Sequence, residues 1–111
     1  MQYMLLIYAD PKLESNEPYD AWFTYTEEMR KAGAFVSGEP LHGGETATTL
    51  RLRDGKRLVT DGPFAETKEL LIGYYIIEVP DLDAALDWAA KMPDAKQNVL
   101  EIRPVMSVPV G

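Results

Sequence analysis

A chain of 111 residues, 46% hydrophobic and 26% charged, is long enough for one domain with one core and too short for two. Its formal charge of −7 and pI near 4.6 oppose contact with phosphate backbones and anionic lipid, so neither direct nucleic-acid binding nor membrane binding is expected. The absence of cysteine removes disulfides, thiolate metal sites and thiol nucleophiles together.

The opening run "QYMLLIYAD" is apolar at both alternating sets of positions, Tyr3, Leu5 and Ile7 against Met4, Leu6 and Tyr8, and Asp10-Pro11 ends it. This pattern predicts a central strand. The run has no preceding basic region and is too short for a signal or spanning helix, which makes a cytoplasmic location the expectation. Pro18 then stands where the first turn of a helix tolerates it. Trp22, Tyr25, Met29 and Ala32 repeat at helical spacing, Glu27 precedes Lys31 by four, and Gly33 supplies a stop.

"AFVSGEPL" reads as a short extended piece. In "TATTLRLRDGKRLVT", Leu50 and Leu52 alternate with Arg51 and Arg53, and Asp54-Gly55 provides the two positive-φ positions of a tight turn before Leu58 and Val59, so a hairpin is predicted. "GYYIIEV" is a second strand apolar on both faces. Pro80-Asp81 caps a second helix with Leu82, Ala85, Leu86 and Ala89 on one side and Asp87 directed toward Lys91, and "VLEIRPV" is a final strand.

The order predicts an α+β, ferredoxin-like split β-α-β layout: an antiparallel sheet with both helices on one face, plus the hairpin. Two helices cover one side only. Since two strands are apolar on both faces, the other side calls for a cover, and a homodimer packed sheet to sheet is expected. Tyr74 and Tyr75 point to opposite faces, one of them toward the helices or the seam.

The block "DGPFAETKE" at Asp61 to Glu69, with "YMLLIY", "ATTLRLRDGK", "GYYIIEVPDLDAALDWA" and "EIRPV", resembles the DGPF branch of the YCII-related proteins, collinearly over nearly the whole chain. That resemblance implies a single domain over 1–111 with a dimeric ferredoxin-like α/β barrel fold, in bacteria, often encoded beside extracytoplasmic-function sigma factors. Other YCII-related proteins have been suggested to be enzymes on account of a histidine on the first helix and an aspartate facing a helix–sheet pocket. Here "YDAWFTYTEEMRKAG" holds no histidine, and that chemistry does not carry over.

Asp61-Gly62-Pro63 is first of all turn chemistry, with Phe64 as a core anchor behind it. The charges that follow exceed what a turn needs. Glu66, Lys68 and Glu69 precede a buried strand, where a carboxylate beside an ammonium serves as a tuned acid or base or holds a polar ligand; the plainer reading is a solvated turn with a weak ion pair. His42, in "PLHGGE", is a candidate base by residue type but reads more simply as a bystander. Trp22, Phe23 and Tyr25 line a ligand pocket under one reading and fill the core under the other. No phosphate loop, dinucleotide motif, metal-ligand spacing or serine triad is supported, and neither a metal nor a cofactor is expected.

The leading reading is a cytoplasmic homodimer that binds a small polar or aromatic molecule through Lys68, Trp22, Tyr25 and Phe64. The sigma-factor neighbourhood of the resembling proteins implies a regulatory role in association with such a factor. The second is a cofactor-independent enzyme with Glu66 or Asp61 as proton carrier and His42 as the weaker candidate. A structural dimer module without a pocket is the third.

Overall fold

The computed structural model describes residues 1–65 and 67–109. The elements follow the expected order: β1 (Gln2–Ala9), α1 (Tyr19–Lys31), β2 (Phe35–Pro40), β3 (Thr48–Arg53), β4 (Lys56–Asp61), β5 (Leu70–Glu78), α2 (Leu82–Ala90) and β6 (Val99–Pro104). Four strands form an antiparallel sheet in the order β2-β5-β1-β6, while β3 and β4 form a separate ribbon. With the ribbon set aside, this is the ferredoxin-like arrangement. The two strands apolar on both faces, β1 and β5, are the central pair.

The register fixes the faces. Tyr3, Leu5 and Ile7 stand opposite Ile77, Tyr75 and Gly73, and this face is buried under Tyr25 and Met29 of α1 and Ala85 and Ala89 of α2. Leu5, Met29 and Ile77 are fully enclosed, each burial stabilising the fold by roughly 1.5–3 kcal/mol. Tyr75 sits among aromatic rings, 5.6 Å from Tyr25 and 6.2 Å from Phe35, both edge-on. Gly38 makes room for it: a Cβ there would lie 2.7 Å from the Tyr75 ring. The opposite face presents Met4, Leu6, Tyr8, Tyr74 and Ile76, half-buried by their neighbours and covered by neither helix.

Helix ends follow the local signals. Pro18 occupies the N-cap of α1, and the amides of Gly33 and Ala34 bond back to Arg30 and Met29 to close its last turn. Asp81 caps α2 by accepting from the Ala84 amide at 2.9 Å. Three expectations about helix faces are corrected. Leu82 and Leu86 are exposed, because the small side chains of Ala85 and Ala89 let α2 lie close on the sheet and turn the leucines away. Glu27 pairs with Arg30 at 3.4 Å and not with Lys31, and the Lys91 ammonium lies over the Trp88 ring at 4.7 Å instead of reaching Asp87.

The hairpin turns at Asp54 and Gly55, with φ of +52° and +74°, as the Asp-Gly pair requires. All twelve residues of its two strands except Thr49 are exposed. The radius of gyration, 16.1 Å, exceeds the roughly 13 Å of a compact chain of this length. The ribbon projects from the body. Among the described residues, no helix is long and apolar enough to cross a membrane.

Candidate functional site

β1 and β2 finish, and β5 and β6 begin, at the same end of the sheet, as the pairings Ala9 with Leu70, Pro40 with Gly73 and Tyr8 with Val99 require. Three loops therefore converge there: the one after β1, the one after β2 and the one between α2 and β6. They line a half-open cavity of about 250 Å³ whose walls include Asp10, Leu13, Gly44, Leu70, Ile72 and Asp94.

Asp10 follows directly on the last residue of β1 and is 6% exposed, the one buried charged side chain among the described residues. Its Oδ1 accepts from the Lys12 amide at 2.9 Å, its backbone carbonyl accepts from the Leu13 amide, and its Oδ2 lies 3.8 Å from the Lys68 ammonium. The first two bonds fold the chain into a turn around the carboxylate. Lys68 itself is largely exposed, which makes the ion pair weak in stability terms. Across the cavity, Asp94 has a φ of +60° and accepts from the Ser15 hydroxyl and the Asn16 amide, and Asn16 donates to Gln97 at 3.1 Å. These bonds tie the loop after β1 to the loop before β6.

A second, broader cavity of about 650 Å³ adjoins the first and shares Gly43, Gly44 and Leu70 with it. The dividing wall is thin: a Cβ on Gly44 would lie 2.5 Å from Leu70 Cδ1. His42, Thr49, Leu50, Phe64 and Leu71 line this second space.

The residues singled out in the sequence separate accordingly. His42 and Phe64 come together in the broader cavity, and Lys68 stands beside Asp10. Phe64 is not a core anchor: it is 73% exposed, with the Arg51 guanidinium 5.1 Å from its ring centroid, because the turn before it lies at the base of the projecting hairpin and no core is within reach. Asp61 ends β4 opposite Thr48, exposed and outside both cavities. Gly62, with φ +100°, donates its amide to Ala47 and accepts from the Thr49 hydroxyl, so this turn clamps the hairpin base as turn chemistry requires. Glu66 lies outside the described residues.

Trp22 and Tyr25 line neither cavity. The Tyr25 hydroxyl donates to the Trp88 carbonyl at 2.7 Å and its ring meets Trp88 edge-on, so the space between helix and sheet is filled by aromatic side chains. Burial, and secondarily the neighbouring Tyr75, pushes the Tyr25 phenol well above its usual range. Asp10 is the residue that sequence reasoning missed. The available signal was its place directly behind a central strand, where a side chain has the whole sheet beside it; the Asp-Pro pair reads locally as nothing more than a stop.

The YCII-related domain matches residues 1–109 of this chain. The chain belongs to the YCII-related family. A protein of Rhizobium meliloti (strain 1021), described as uncharacterized, is 48% identical over 120 residues that cover 95% of this chain and 92% of the relative. Within this YCII-related fold, α1 carries no histidine, and no group of three or more His, Cys, Asp or Glu side chains among the described residues is arranged to hold a metal ion.

Proposed function

We propose that this YCII-related protein binds a small polar molecule, an amine or a hydroxyl-bearing compound with an apolar flank, in the cavity beside Asp10. The observation that carries this reading is a buried carboxylate, held by backbone bonds, at the wall of a space of about 250 Å³. Asp10 supplies an acceptor of fixed direction, Leu13, Leu70 and Ile72 supply apolar surface, and the acidic surroundings disfavour strongly anionic ligands. In a regulatory role, the ligand is the signal and a sigma factor the partner that reads it. A face-to-face homodimer covers Met4, Leu6, Tyr8, Tyr74 and Ile76.

Burial of Asp10 also favours a second reading, in which the protein is a cofactor-independent enzyme. A carboxylate at the wall of a cavity, 3.8 Å from one ammonium, is placed to exchange a proton with a molecule bound there. Asp10 then takes the part expected of Asp61 or Glu66.

A thermal-shift screen of amines, polyols and hydroxy acids on the wild type beside Asp10→Asn tests the binding reading. Asparagine keeps the size and an acceptor for the Lys12 amide while removing the charge. Compounds that raise the melting temperature of the wild type are expected to lose that effect in the variant. Equal stabilisation of both proteins would remove this cavity as the binding site.

A further inference from the structure

The β3–β4 hairpin has two unlike faces. Leu50, Leu52 and Val59 share one, with Arg57, and Arg51, Arg53 and Lys56 share the other, with Leu58. None of the large apolar side chains finds cover in a single chain; Leu52 is 66% exposed and Val59 63%. Hairpins whose alternation is this regular normally bury one face. This one has no body to bury it against, because the ribbon stands off the sheet.

Charge points to the missing cover. Residues 48–61 carry four of the eleven basic side chains and two of the eighteen acidic ones, which leaves seven basic against sixteen acidic elsewhere. A basic arm thus projects from an acidic body. On the apolar face itself the basic residue is Arg57, and a second copy offers it Glu39 and Glu101, which flank the uncovered sheet face in register with Tyr74 and Leu6, with Arg103 opposite Met4 on the same face. The broader cavity continues onto that same face, since Leu71 in its wall is paired with Tyr8 of the uncovered row.

We propose that the hairpin is an arm between subunits, its Leu50–Leu52–Val59 face seated on the acidic body of a second copy, which closes the open side of the cavity around His42. The inference rests on the homodimer proposed above and adds to it both the contact made by the arm and a cavity built from two chains. In one chain that cavity is a shallow basin. With the second copy in place it is an enclosed site of a size that takes a small molecule, with a single histidine at its wall.

The chain has no cysteine, so Leu52→Cys carries a single spin label cleanly. The label is expected to be immobilised at concentrations where light scattering gives the mass of two chains, and to become mobile on dilution to single chains. A dimer with a mobile label would overturn the arm and leave the sheet-to-sheet pairing standing. Single chains at every concentration would overturn both. Leu52→Asp, placed on an exposed position that folding does not use, is expected to raise the dimer dissociation constant about tenfold or more. The one imidazole resonance, from His42, reports on the cavity: it is expected to shift between single and paired chains, and an unchanged resonance would overturn the shared cavity.

Discussion

Burying a carboxylate costs free energy that only its partners offset, and Asp10 has the Lys12 amide and the Lys68 ammonium. Asp10→Ala leaves that amide without its acceptor and is expected to lower stability by about 1–3 kcal/mol in urea denaturation, whereas Asp10→Asn loses much less. A neutral Asp10→Ala would mean that the carboxylate does not hold the loop. Tyr25 carries the second expectation at this scale. Its phenol, raised in the folded chain by burial, stays protonated where the unfolded chain begins to ionise near pH 10. The folded state therefore binds more protons above that pH, and stability is fully present below it and falls as pH rises further. Tyr75 adds to the effect in the same direction, again through burial. Tyr25→Phe is expected to flatten the alkaline limb of a melting-temperature profile, and an unchanged limb would place the alkaline loss elsewhere.

The elements show what local pattern conveys and what it cannot. Alternation on β1 and β5, the Asp54-Gly55 turn and the Asp81 cap are set by neighbours within a few residues, and each was legible. Asp81→Ala is expected to cost about 1 kcal/mol by removing the Ala84 bond, while Leu52→Asp changes the stability of a single chain by less than about 0.5 kcal/mol; denaturant midpoints measured on dilute protein separate the two. The facing of α2 was misread because hydrophobicity ranks Leu82 and Leu86 above Ala85 and Ala89, although close helix–sheet packing selects for small volume. Phe64 was misread for a related reason: an aromatic residue near a turn signals burial only if a core lies within reach. The Asp10 cavity was illegible because its walls come from segments far apart in sequence, from Asp10 to Asn98, joined by bonds such as Asn16 to Gln97. No window of the sequence contains that juxtaposition.

At the scale of the whole molecule, one face of the sheet is buried under helices and the other is apolar without cover, and an exposed ribbon stands beside it. A second chain is the cover proposed for both. Light scattering behind a sizing column is expected to give twice the mass of 12.5 kDa at micromolar protein, and a stable single chain would remove the paired architecture. The ligand site does not depend on that outcome, since the Asp10 cavity is formed within one chain. The most direct test of it is an amide-shift titration of nitrogen-labelled protein with a stabilising compound from the thermal screen. Binding beside Asp10 predicts that the amides of Asp10, Gly44 and Leu70 move together and saturably. Shifts confined to the helices or the uncovered sheet face, with those three unmoved, would contradict it.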